Sequence, residues 1–380
     1  MGKILSAERI DTILKSLWSG IMHQKRIQSI AIMVWGIMLS NRLSSARIGK
    51  QLAQTRSTSP KHQIKQVDRL LGNSKLNVWK EIPVYVRWLV GVRKSIVVSL
   101  DWTSFSNDNQ SCIMVNLVTT HGRSTPLVWK TVKDNQLKHR RNSYEREVLQ
   151  LLSDSLSDTG IQVTVLADRG FFDTKFFSFI TDTLHWDYVI RIKQNAKVKT
   201  EKIRRREIRA LTACNGRITE LVDAALTAKE FIVGSVVTVK AAGMKEAWHL
   251  ASSIQHQKER VVKLYARRFC CEEHYRDTKD DRFGMGLKET HVSTVERLDR
   301  FFLFHAIATV LLTLIGAAGE KLGLDRLLRA NTLKRRTHSL YCQGREYVWG
   351  AVQGKFQEVR LIFELLFSEH KQVSEVYWLI

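Results

Sequence analysis

Apolar positions recur along residues 1–75 at the spacing of helices. The clearest case runs from Ser59 to Gly72, where Ile64, Val67 and Leu71 fall at i, i+3 and i+7, the spacing of one buried helix face. Ser59 suits the N-cap, Pro60 the first helical position and Gly72 the stop. Residues 44–53 are expected to form the first helix of a helix-turn-helix-like pair with it.

Between 95 and 193 the rhythm changes. Apolar, β-branched runs at 95–100, 112–118, 127–129, 161–167 and 188–192 predict strands. Residues 143–157 and 173–183 carry helical periodicity. Strands first in a meander and then interleaved with helices imply a mixed sheet with helices packed on it. Residues 194–250 open on a basic cluster (197–209) and continue with β-rich text such as 231–240, which reads as an inserted β subdomain. From about 257 the chain is helical to near its end, interrupted at Gly284-Met285-Gly286. The expected division is a helical unit at 1–80, a sheet-and-helix unit at 81–193 resumed at 256–320, the β-rich insertion at 194–255, and a helical C-terminal region at 321–380.

Two apolar runs raise the question of a membrane. The run 27–39 is too short to span one. The run 301–319 is long enough, but it contains His305, Thr309 and Thr313 and follows Arg297 and Arg300, so it is read as a buried core helix. The N-terminal text has charges within its apolar pattern and no small-residue cleavage site, unlike a secretory signal. Gly2 and Ser6 make only a weak myristoylation match, set aside as chance. Membrane attachment is therefore not expected.

Charge sharpens the picture. The 380 residues hold 60 Lys/Arg and 37 Asp/Glu, a formal charge of +23. Thirteen of the basic residues lie in 1–75 against three acids. Such a surface concentrates polyanions, and nucleic acid is the leading partner. Lys61, Lys65 and Arg69 form a basic stripe at i, i+4 and i+8, set apart from the apolar one, and are the N-terminal candidates for DNA contact. Five cysteines without CxxC spacing suit a reducing compartment.

The candidate chemistry rests on carboxylates. Asp101 and Asp168 each follow a strand-like run and are read as strand ends. A carboxylate there is costly to desolvate unless compensated, and a divalent cation with oxygen ligands would compensate it. Residues 264–279 add Tyr265, Arg268, Glu272 and Lys279, at offsets 0, 3, 7 and 14. On one continuous helix these share an arc of about 60°. One acid among three phosphate-binding groups fits a metal-dependent phosphodiester site, with Glu272 as a third ligand and Arg268, Lys279 and the Tyr265 hydroxyl gripping the DNA backbone.

Tyr-x2-Arg-x3-Glu-x6-Lys, with Leu-Asp101-Trp-Thr and Leu-Ala-Asp168-Arg-Gly-Phe upstream, resembles the DDE transposases of bacterial insertion sequences, family four, the group of the transposon-five and transposon-ten enzymes. The texts 64–73, 273–279 and 284–287 are most similar to the transposon-ten branch. The resemblance implies a ribonuclease-H-like α/β catalytic domain with a β-rich insertion between the second Asp and the Glu. It implies Asp101, Asp168 and Glu272 as catalytic residues and ligands of two Mg²⁺ ions, with Mn²⁺ able to substitute. It further implies cut-and-paste transposition: binding to terminal inverted repeats, cleavage of both strands through a hairpin, and joining of 3′-hydroxyls to target DNA.

By its place before Tyr265, Trp248 matches the family aromatic that stacks on a flipped base; a core residue of the insertion is the other reading. The family also implies a homodimer in the DNA complex, for which 352–367 is a candidate interface, and a place in the cytoplasm at the bacterial nucleoid. A catalytically inactive DNA-binding relic or regulator, and a metal nuclease without strand transfer, are the alternatives. Cys270-Cys271, directly before Glu272, depart from what relatives often carry, and adjacent thiols there suggest oxidation sensitivity.

Overall fold

The computed structural model describes residues 6–352, apart from 229, 281, 283 and 335. Five helices open the chain: α1 (Ala7–Trp18), α2 (Gln24–Ser40), α3 (Ser45–Arg56), α4 (Pro60–Leu71) and α5 (Val78–Val90). The short apolar run becomes α2, which is buried on most of its surface because the other helices pack around it. The expected pair is present as α3 and α4. Gly49 lets them approach closely: a Cβ there would lie 2.6 Å from the Ile64 Cα. Ser59 and Pro60 sit at the expected positions, but the Ser59 side chain makes no capping hydrogen bond. Gln63, Val67, Leu70 and Leu71 are the buried side of α4, while Lys61, Lys65 and Arg69 are exposed.

A ten-stranded mixed sheet follows, in the order β3-β2-β1-β4-β5-β10-β9-β8-β6-β7. The meander is β1 (Ser95–Phe105), β2 (Gln110–Leu117) and β3 (Thr125–Lys133). Helix α6 (Arg141–Leu156) then crosses to β4 (Gln162–Ala167), which pairs in parallel with β1. The segment α7 (Thr174–Ser178), continued by a π-helical turn, leads to β5 (Asp187–Arg191).

The β-rich text forms β6 (Lys197–Lys199), β7 (Arg206–Glu207), β8 (Thr219–Leu226), β9 (Phe231–Val239) and β10 (Trp248–Ser252). These strands do not build a sheet of their own. β10 pairs antiparallel with β5, so the inserted strands lengthen the same sheet.

The last described helices are α8 (Lys258–Arg267), α9 (Phe269–Lys279), α10 (Val295–Lys321) and α11 (Leu340–Val352). α10 is long and apolar enough to cross a membrane by length and composition, yet its most apolar window is wholly buried against the rest of the chain. It is the core helix expected for 301–319. Asp299 on α10 accepts a hydrogen bond from the Thr131 backbone N–H at 2.9 Å, which covers part of the outer edge of β3. Arg300 donates to the carbonyls of Leu71 (2.7 Å) and Leu76 (3.0 Å), tying the end of α4 to α10. One continuous apolar core therefore runs from the N-terminal helices into the sheet. Of the candidate dimer interface, 353–367 lies outside the described residues.

Candidate active site

The site is built where parallel strands β1 and β4 run side by side. Their register sets Leu100 opposite Ala167. β4 ends at Ala167 and Asp168 begins the turn that follows, its side chain accepting from the Gly170 N–H at 2.8 Å. β1 does not end at Asp101, as the run of apolar residues had suggested. It continues to Phe105, because antiparallel pairing with β2 holds it extended, with Asp101 opposite Met114. Asp101 thus lies inside a strand, beside the point where its neighbour stops. Its carboxylate accepts from the Trp102 N–H at 2.8 Å.

The helical text 264–279, which carries Tyr265, Arg268, Glu272 and Lys279, is split between α8 and α9. The four residues do not share one unbroken helix. α8 ends at Arg267 and α9 begins at Phe269, and at the junction the Arg268 N–H bonds the Tyr265 carbonyl, a turn tighter than α. The result still brings Arg268 to the carboxylates. Its guanidinium lies 3.5 Å from Asp101 and pairs with Glu272, which is half exposed.

Tyr265 is buried. Its ring meets Trp248 edge-on, with centroids 5.0 Å apart, and lies near the Arg268 guanidinium. Trp248, at the start of β10, is half-buried and stacks on Phe269 at 6.0 Å. Phe269 is one of the exposed large apolar residues. Lys279 donates to the Ser104 carbonyl at 3.0 Å and sits over the Phe105 ring, further along β1 from the Arg268 contacts. Lys61, Lys65 and Arg69 belong to α4, in the N-terminal run of helices.

The charges of Asp168 and Glu272 both act on Asp101. Burial pushes the Asp101 carboxyl up to about 6; Arg268 opposes the rise, and Asp168 and Glu272 add to it. Burial works against the Arg268 charge, but Tyr265, Asp101 and Glu272 together outweigh it and hold its proton more tightly. Burial lowers the Lys279 ammonium from its ordinary value, with Lys288 adding to the effect.

Among the described residues, no three acid, imidazole or thiol side chains are placed together as a metal-holding group. The chemistry of the donor set nevertheless suits a hard cation. Three carboxylates supply oxygen donors, and the Arg268 guanidinium stands in as positive charge between two of them.

Sequence reasoning missed two neighbours. Glu145, buried on α6, accepts from the Trp102 indole N–H at 2.8 Å. Asn116 of β2 donates to Cys271 Sγ at 3.3 Å and to the Tyr275 hydroxyl at 3.1 Å, beneath the start of α9. Both lie far in sequence from the residues they support, and no local pattern marks them.

A sequence profile described as the transposase DDE domain matches residues 93–311, more than half of the chain. The chain belongs to the transposase DDE domain family. The matched span opens just before β1 and closes within α10, so it takes in Asp101, Asp168, Glu272 and the inserted strands. No curated protein matches the chain. The mixed sheet with helices is compatible with the ribonuclease-H-like fold expected of a DDE domain. DDE transposases bind DNA and generally use divalent metal ions, and the carboxylate-rich end of β1 and β4 is where this DDE domain offers oxygen donors.

Proposed function

We propose that this chain is a cut-and-paste transposase of the transposon-ten type, acting on DNA in the bacterial cytoplasm, with Asp101, Asp168 and Glu272 as its catalytic carboxylates. The observation that carries the reading is the parallel register that sets Leu100 of β1 opposite Ala167 of β4, so that the next residues are Asp101 in β1 and Asp168 at the turn after β4, with Glu272 joined to Asp101 through Arg268. Two Mg²⁺ ions held by these carboxylates would supply activation of the attacking oxygen and stabilisation of the leaving one.

The chain's own residues bind and orient the DNA. Arg268 is the planar donor nearest the acids and suits a phosphate beside the scissile bond. Tyr265, buried against it, holds that guanidinium in place. Lys279 adds positive charge along β1. Trp248 and exposed Phe269 offer an aromatic surface for an unstacked base at a hairpin. The exposed stripe of Lys61, Lys65 and Arg69 on α4 suits the phosphates of a terminal inverted repeat. Water attack would open one strand, and the freed 3′-hydroxyl would attack the opposite strand to form the hairpin. No covalent bond to the protein is part of the scheme. Dimerisation in the DNA complex belongs to the same reading.

The test is a plasmid carrying the sequences that flank the reading frame, incubated with the protein and Mg²⁺. Wild type should cut at both ends and join them to a second plasmid, and Glu272→Gln should do neither. Cleavage that survives in Glu272→Gln refutes the assignment. Wild-type binding without any cleavage would favour a DNA-binding relic.

A further inference from the structure

Side chains on β1 alternate between the two faces of the sheet. Asp101 faces Arg268 and the start of α9, and Trp102 faces the opposite way, towards α6. On that second face the Trp102 indole N–H donates to Glu145 Oε1 at 2.8 Å. The guanidinium of Arg141, one helical turn before Glu145, lies over the same indole at 5.0 Å, with its Nε 3.5 Å from the Glu145 carboxylate. Glu145 is buried, and the Arg141 side chain is 55% exposed.

An acid inside the fold thus holds a flat cation against an aromatic ring at the surface. α6 follows β3, which runs parallel to β1 across the meander, so its first turn lies at the end of the sheet where Asp101 and Asp168 emerge. Asn142 confirms this nearness: its side-chain amide donates to Asp173, in the loop after Asp168, at 3.0 Å.

The surroundings are basic. Lys138, His139 and Arg140 precede Arg141, and all four are exposed. Arg140 rests on the Tyr144 ring, as does Lys130, which also covers Trp79. Guanidinium groups stacked on aromatic rings lose little freedom on meeting a phosphate and keep their hydrogen-bonding edges outward. The complementary partner at this end of the sheet is the sugar-phosphate backbone of DNA.

We infer that Arg141, set on Trp102 by Glu145, is a second phosphate clamp beside the carboxylates, gripping the DNA strand from the sheet face opposite Arg268. Arg141 would touch the DNA; Trp102 and Glu145 are positioning residues. The inference rests on the proposed active site, since it gives the clamp its place next to the cut strand.

Two measurements on the full-length protein test it. The first is binding to a short duplex copied from the DNA flanking the reading frame, followed by fluorescence anisotropy over a range of salt. Arg141→Ala should lower the slope of log affinity against log salt by about 0.9, the value of one phosphate contact. Arg141→Lys should restore that slope. The second is single-turnover cleavage of the same duplex, which Arg141→Ala should slow about tenfold, the worth of one charge-assisted hydrogen bond; Arg141→Lys, which cannot stack, should recover only part of it.

Glu145→Gln keeps an acceptor for Trp102 and loses the ion pair, and its effect should vanish in an Arg141→Ala background, because it acts through Arg141. An unchanged salt slope in Arg141→Ala overturns the clamp, and additive losses in the double variant overturn the role of Glu145. If the slope falls while wild type itself does not cleave, the clamp stands and the catalytic reading fails.

Discussion

The guanidinium of Arg268 lies 3.5 Å from the Asp101 carboxylate although the two residues come from different elements, one from the α8–α9 junction and one from inside β1. The same guanidinium pairs with Glu272. A single buried cation therefore links the first and last carboxylates of the candidate set. We predict that Arg268→Ala destabilises the protein by about 1–3 kcal/mol, the cost of leaving a buried charged group without its partner. Arg268→Lys should recover part of the stability but little cleavage, because a point charge cannot serve two carboxylates and a phosphate at once. Urea unfolding alongside single-turnover cleavage checks both halves, and equal activity in Arg268→Lys and wild type counts against a bidentate role.

Asp299 predicts a pH dependence of stability. It is buried, and burial pushes its carboxyl up to about 7 even though the hydrogen bond from the Thr131 N–H favours the charged form. The folded chain therefore holds this proton more tightly than the unfolded one. The contribution is fully present below the ordinary aspartate range and is lost as pH rises through about 7. Asp299→Asn keeps an acceptor for the Thr131 N–H and removes the titration. Urea midpoints measured from pH 5 to pH 8 should fall less steeply in the variant; identical slopes would mean that Asp299 does not titrate there.

Two glycines decide how α10 meets α11. A Cβ on Gly316 would lie 1.8 Å from the Leu340 carbonyl oxygen, and one on Gly344 would lie 1.9 Å from that of Leu312. Each contact is with backbone, which cannot turn aside as a side chain can. Gly316→Ala or Gly344→Ala should therefore cost roughly 1–3 kcal/mol by overpacking, despite the better helix propensity of alanine. A thermal midpoint equal to wild type in either variant would show that the helices can separate freely.

The adjacent cysteines should be chemically quiet. Burial pushes the Cys270 thiol up to about 11 and the Cys271 thiol up to about 12. Neither supplies much thiolate at neutral pH, and the thiolate is the reactive form. The oxidation sensitivity suggested by their position is thus opposed by their surroundings. Iodoacetamide should label exposed Cys214 in the folded protein and reach Cys271 only after unfolding, as read by peptide mass spectrometry. Cleavage should be the same with and without reductant.

Much of this protein is legible in the order of its residues. Apolar periodicity marks α4, β2 and α6 within a few residues, since each buries one face or both and needs no distant partner to show it. The spacing Tyr265, Arg268, Glu272, Lys279 and the two Asp motifs carry the family resemblance, because helical and strand neighbours are encoded locally. Tertiary structure decided the rest. β1 runs on past Asp101 through a polar stretch because β2 supplies its hydrogen bonds. The inserted strands join the main sheet because β10 finds the edge of β5. Arg268 breaks the helix that a continuous count of residues assumed. Trp102, Arg141 and Glu145 meet only after α6 has folded back over the sheet. Pairing along a chain is set by short-range geometry, whereas contacts between elements depend on which surfaces can be buried together, and no local pattern records that choice.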